Sequence, residues 1–81
     1  PYELKVETES WEKARGGVTV RQRITVNRAS HKAIILGRGG EMLKRIGMKS
    51  REDIQTLTGG RVNLFLHVVV RPDWRDKAET Y

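Results

Sequence analysis

The chain has 81 residues, no cysteine, and 16 Lys plus Arg against 10 Asp plus Glu, for a formal charge of +6 and a pI near 10.2. A chain of this length buries roughly 60–65% of its unfolded surface, which supports one small domain and leaves little room for a deep enzyme cleft. Disulfide and thiolate chemistry are excluded, no apolar run nears the ~20 residues of a membrane span, and the basic balance favours a polyanionic partner.

Residues 2–10 alternate. Tyr2, Leu4, Val6 and Thr8 fall on one face and Glu3, Lys5, Glu7 and Glu9 on the other, which predicts a strand with one wet face. By parity Trp11 joins the charged face. Residues 12–17 are charged and end in Gly16-Gly17, a hairpin connection. A second strand over 18–26 places Val18, Val20, Gln22, Ile24 and Val26 on one face, with Arg21 and Arg23 opposite, facing Glu7 or Glu9 across the pair.

Asn27 and Ser30 are candidate N-caps for a short helix over 29–36, with Ala33, Ile34 and Leu36 as its apolar contacts. After a glycine-rich turn, Leu43, Ile46, Gly47, Ser50, Ile54 and Leu57 recur at spacings of three and four, a stripe that should pack on the sheet. Gly47 inside this helix points to close packing against another backbone. Thr58-Gly59-Gly60 is a stop signal. Residues 61–71 alternate again, with Val62, Leu64, Leu66, Val68 and Val70 inward and Asn63, Phe65, His67 and Val69 outward. Pro72-Asp73 ends that strand, and Asp73 can cap a last helix through Trp74, Lys77 and Ala78. The order predicts an α+β two-layer sandwich: a three-stranded mixed sheet with helices on one face.

The informative stretch is Ile34-Ile35-Leu36-Gly37-Arg38-Gly39-Gly40-Glu41-Met42-Leu43-Lys44-Arg45-Ile46. Gly-x-x-Gly between an apolar helix end and a basic helix leaves backbone N–H groups bare. Gly37 and Gly40 permit positive φ, Gly40 or Glu41 opens the second helix with its dipole facing an anion, and Arg38 adds a charge at the tip. The Gly-Lys-Ser/Thr ending of a phosphate-binding loop is missing, and so is the third glycine of a dinucleotide fingerprint. A plain helix-turn-helix corner would also use these glycines.

Gly37-Arg38-Gly39-Gly40 resembles the loop with which KH domains clamp single-stranded nucleotides. The likeness extends to the element order, to Ile35-Leu36 before the loop, to Leu43-Lys44-Arg45-Ile46-Gly47 after it, and to Leu64-Phe65-Leu66-His67-Val68-Val69-Val70-Arg71-Pro72-Asp73-Trp74. With Pro1-Tyr2 and Gly16-Gly17 it covers nearly the whole chain. The chain is similar to type II KH domains, and within them to the C-terminal KH domain of the Era family of ribosome-associated GTPases. Family loops usually carry a polar or basic residue where Gly39 stands here.

The resemblance implies binding to single-stranded RNA near the 3′ end of small-subunit ribosomal RNA. In the intact protein this is coupled to a GTPase domain that assists assembly of a 30S-type subunit in the cytoplasm. The start at Pro1 suggests that residues 1–81, one KH-like domain, were cut from a longer protein. No GTPase motif, catalytic residue, cofactor or metal site is expected in this chain. Gly37, Arg38, Gly39 and Gly40 would hold the sugar-phosphate backbone, Ile34, Ile35 and Leu43 would form an apolar floor under bases, and Lys32, Lys44 and Arg45 would flank the loop. Main-chain groups of residues 24–27 would meet base edges.

Three other readings compete. Phe65 and His67 on the outer sheet face could stack bases in the manner of an RRM, or the domain could bind protein alone. An acidic lipid surface suits the charge, but the charges are scattered and no basic amphipathic segment is rich in Trp, Phe or Leu on its other face, so membrane contact ranks below nucleic acid. His31 and His67 lack a third ligand, and Ser30, His31 and Asp53 make a poor triad because neighbours in sequence point apart.

Overall fold

The structure, a computed structural model, describes residues 3–73. The alternating stretches form β1 (Lys5–Ala14), β2 (Gly17–Val26) and β3 (Arg61–Val70). They make one sheet in the order β1-β2-β3, with β1 antiparallel and β3 parallel to the central β2. A parallel neighbour requires a crossover, and α1 (Ala29–Thr58) provides it in two arms, residues 29–36 and 41–58, joined by a non-helical bend. The expected α+β arrangement, with a mixed three-stranded sheet and helices on one face, is the observed one.

Two apolar clusters bind the layers. Val18, Val20, Ile54 and Val62 pack together at one end, with Leu64 against them. Ile24, Val26 and Ile35 pack at the other, flanked by Leu4, Met42, Leu43, Ile46 and Leu66. The second arm lies close on β3 because residue 47 has no side chain: a Cβ there would meet Leu66 Cδ1 at 3.3 Å. The neighbour that Gly47 admits is thus a side chain, not the expected backbone.

Several expectations are corrected by the packing. Residues 12–14 belong to β1, so the hairpin connection is only the Arg15-Gly16 turn. The register of β1 shifts between Thr8 and Ser10, leaving Glu9 without a cross-strand partner. One extra residue reverses parity beyond it. Trp11 pairs with Val20 and therefore lies on the helix-bearing face, 44% exposed.

Neither Asn27 nor Ser30 caps α1. Arg28 holds the cap position in extended conformation, and its side chain makes no capping hydrogen bond. Ile35, and not Ala33, Ile34 or Leu36, is the fully buried residue of the first arm. Leu57 is 80% exposed and lies outside the packed stripe. The expected stop is present, as Gly59 N–H donates to the Gln55 carbonyl at 2.7 Å. The helix anticipated after Asp73 falls outside the described residues.

The outer sheet face carries a charge ladder. Arg23 donates to Glu7 Oε1 at 2.8 Å and lies 3.5 Å from Glu9 Oε2, while His67 Nε2 is 2.6 Å from Glu9 Oε1. Arg21 makes no ion pair there; its guanidinium sits 4.8 Å from the Phe65 ring centroid. The Arg23 hydrogen bond holds the Glu7 carboxyl below its ordinary value of 4.5, against a smaller opposing effect of desolvation.

Two predictions follow from this packing. Ile35→Ala removes a fully buried side chain and should cost about 2–5 kcal/mol, whereas Leu57→Ala should stay within ~0.5 kcal/mol; denaturant melts of both variants check this. A depressed carboxyl stabilises the fold above its unfolded pKa, and that contribution is lost as pH falls through the folded value. Acid titration of stability should therefore be shallower below pH 4.5 in Glu7→Gln than in the wild type.

Candidate nucleic-acid interface

Helical geometry ends at Leu36 and resumes at Glu41 because the four residues between adopt other conformations. Gly37 has φ −73° and ψ 174°, ordinary extended backbone, while Arg38, Gly39 and Gly40 follow with φ of 52°, 65° and 76°. Three left-handed residues in succession turn the chain between the arms. Two of them are glycine, which bears this at no steric cost, and Arg38 is the exception. Positive φ is needed at Gly39 and Gly40 and not, as expected, at Gly37. Glu41, not Gly40, opens the second arm.

The bend is bare. A Cβ built on Gly37, Gly39 or Gly40 would find no atom within 4 Å. Since Gly37 has a conformation open to any residue, neither local sterics nor packing requires glycine there. A Cβ at that position would obstruct only something approaching from outside.

Two hollows flank the bend on different sides of the second arm. One, of about 370 Å³, lies in the elbow between the arms and is lined by Ala33, Ile34, Gly37, Arg38, Glu41, Met42 and Arg45. The other, about 430 Å³, lies between that arm and β3 and is lined by Leu43, Lys44, Gly47, Met48, Arg51, Leu64 and Leu66. Among the residues expected at the site, Ile34, Gly37, Arg38 and Arg45 line the elbow, and Leu43 and Lys44 line the hollow beside β3. Gly39 and Gly40 form the bend, and Lys32 sits half-buried on the first arm without lining either hollow. Ile35 is fully buried and has no surface to offer a base.

Residues 24–26 belong to the central strand, whose backbone is paired with β1 on one side and β3 on the other. Ile24 and Thr25, paired on both sides, have no main-chain edge to offer, which corrects that expectation for them, while Asn27 lies beyond the strand; among the described residues the free edge beside the second arm belongs to β3.

Met48 and Arg51 were not singled out from the sequence, and Glu41 and Met42 were given no role in lining a hollow. Positions 34, 38, 41, 42 and 45 follow a three-and-four spacing carried across the bend, a signal that the search for a packed stripe passes over because, apart from Met42, these side chains are exposed.

Charge is uneven across the molecule. Between residues 28 and 58 stand seven basic side chains and three acidic ones. Arg45 donates to Glu41 Oε1 at 2.8 Å and Lys49 to Asp53 Oδ1 at 3.2 Å, while Arg38 and Lys44 have no ion-pair partner among the described residues. The helical layer therefore presents an excess of unneutralised cations around the glycine bend, and positive charge beside a helix N-terminus favours an anion. His67 lies on the outer face bound to Glu9, and His31 stands in the first turn of α1. Among the described residues no group of three or more metal-ligating side chains comes together.

A family model described as KH domain matches residues 1–75. The chain belongs to the KH domain family. Over its whole length this KH domain is 45% identical to GTPase Era of Bradyrhizobium sp. (strain BTAi1), of which it covers 27%, and 45% identical to GTPase Era of Rickettsia bellii (strain OSU 85-389), of which it covers 28%. It thus spans little more than a quarter of the length of these curated relatives. Among solved structures it superposes with a TM-score of 0.81, at 32% identity, on an Aquifex aeolicus Era variant bound to GDP·AlF4−, over 94% of this chain and 26% of that one. Era in complex with MgGDPNP and nucleotides 1506–1542 of 16S ribosomal RNA gives 0.82, again at 32% identity, with the same coverage.

The two outer glycines of the KH loop should separate in stability. Gly40→Ala forces an L-residue to φ 76° and should cost about 1–2 kcal/mol. Gly37→Ala, at φ −73° in open space, should be neutral or gain up to about 1 kcal/mol through the unfolded state. Thermal melts of the two variants test this.

Proposed function

We propose that this KH domain binds single-stranded RNA by laying its sugar-phosphate backbone over the Gly37-Arg38-Gly39-Gly40 bend. The observation that carries the proposal is the bareness of Gly37, where a glycine stands with no conformational or packing need for one. Backbone amides of the bend, the N-terminal dipole of the second arm and the Arg38 guanidinium hold phosphate, and such contacts set register without reading sequence. Ile34 and Arg45 in the elbow, and Leu43 and Lys44 in the hollow beside β3, receive the bases and flanking phosphates. Lys32 adds long-range positive potential. The apolar lining of the second hollow and the adjacent free edge of β3 offer base contacts that the central strand cannot.

The likeness to GTPase Era, and to the Era structure that contains a segment of 16S ribosomal RNA, supports a narrower reading. Residues 1–81 are one RNA-binding module of an Era-like, cytoplasmic GTPase. They direct the parent protein to the 3′ end of small-subunit ribosomal RNA during assembly of the 30S-type subunit. The GTPase activity belongs to the parent protein, and this chain alone should turn over no GTP.

The outer sheet face supports RNA binding less well. Phe65, 52% exposed, is already covered by Arg21, His67 is held by Glu9, and Glu7 and Glu9 bring negative charge beside them.

Titration of a short pyrimidine- and adenine-containing RNA should give an affinity that falls with salt at a slope of about −0.7 per phosphate neutralised. Gly39→Asp and Gly37→Ala should both weaken binding, whereas Phe65→Ala should leave it intact. Unchanged affinity in both loop variants rejects the bend as the clamp.

A further inference from the structure

Glu41 is the sole acidic residue between Glu12 and Glu52, and it stands in the wall of the elbow, whose other charged groups are Arg38 and Arg45. A carboxylate beside a phosphate clamp repels the ligand's backbone, so backbone binding gives no reason for it. Its place in the first turn of the second arm and its pair with Arg45 stabilise the helix only modestly, since the side chain is 54% exposed. Resting on the RNA reading above, we propose that Glu41 and Arg45 recognise the Watson–Crick edge of a guanine base seated in the elbow.

The chemistry of the two groups selects this base. A carboxylate only accepts hydrogen bonds and a guanidinium only donates them. Arg45 Nη2 donates to Glu41 Oε1 at 2.8 Å, and Oε2 has no partner among the described residues. The pair therefore presents acceptors beside remaining donors. Guanine presents the complement: its N2 and N1 hydrogens are adjacent donors, and O6 next to them is an acceptor. The two donors meet the Glu41 carboxylate while O6 meets Arg45.

Other bases fit less well. Uracil would turn a carbonyl toward the carboxylate on either side of its one N–H. Adenine offers a single amino group beside an acceptor, and cytosine one amino group beside two. The walls suit a flat ring, with half-exposed Ile34 on the first arm and half-buried Met42 on the second; a thioether packs favourably against an aromatic ring. The elbow's volume of about 370 Å³ accommodates a nucleobase.

The test compares uridine hexamers carrying one central guanosine or one inosine, which keeps N1–H and O6 and lacks the N2 amino group. Binding is read by fluorescence anisotropy on the wild type and Glu41→Ala, with thermal melting to verify that the variant is folded. The wild type should prefer guanosine over inosine by roughly five- to tenfold, and Glu41→Ala should bind the two hexamers equally. Equal affinity in the wild type, or a preference that survives in Glu41→Ala, overturns the guanine assignment while leaving RNA binding in place. Failure of every hexamer to bind overturns the RNA reading and this proposal with it.

Discussion

The contact of Ile35 with Ile24 and Val26 holds the rest of the molecule in place. It pins the first helical arm to one end of the sheet only two residues before the chain leaves helical geometry at Gly37. The second arm packs Met42, Leu43 and Ile46 against the same cluster and is anchored again near the other end, where Ile54 packs with Val18, Val20 and Val62. With both arms fixed on the sheet, the bend between them has no packing duty, and a Cβ built on Gly37, Gly39 or Gly40 meets nothing within 4 Å. The same anchoring sustains the left-handed conformation of Arg38, a strain on the order of 1–2 kcal/mol that persists only where the surroundings overdetermine it.

The two faces of the sheet have opposite electrostatic characters. On the outer face Glu7, Glu9, Arg23 and His67 satisfy one another, and Arg21 rests on Phe65. Its charges are largely spent internally. On the helical side the basic residues outnumber acidic ones, and Arg38 and Lys44 are unpaired among the described residues. The positive potential therefore lies on the side that also carries the glycine bend and the two hollows. Glu41 tempers that field at one point, in the wall of the elbow beside Arg38 and Arg45.

Most of the architecture was legible in the residue pattern. Two-residue alternation in β2 and β3 and the three-and-four spacing after Gly40 are local consequences of strand and helix geometry, and they identified these elements nearly to their ends. Where the pattern failed, the cause was a long-range choice. A register shift at Glu9 carried Trp11 onto the helix-bearing face, because strand parity survives only while pairing is continuous. Ile34, Ile35 and Leu36 are chemically similar neighbours, and only the direction in which the arm meets β2 decides that Ile35 is buried. Leu57 keeps the spacing of the stripe after the helix has run past the sheet.

The amino-acid order alone determined the kind of elements, the site of the bend and the positive charge around it, since each depends on neighbours within a turn or a strand. Which glycine needs its freedom, which strand lies in the middle, and which wall of the second arm holds Glu41 and Arg45 depended on tertiary structure. Those outcomes arise when separate segments compete for the same buried face, and no local spacing records the winner. The bend belongs to both: glycine permits its left-handed turn, and packing of the two arms on the sheet leaves open space where a Cβ on Gly37, Gly39 or Gly40 would stand.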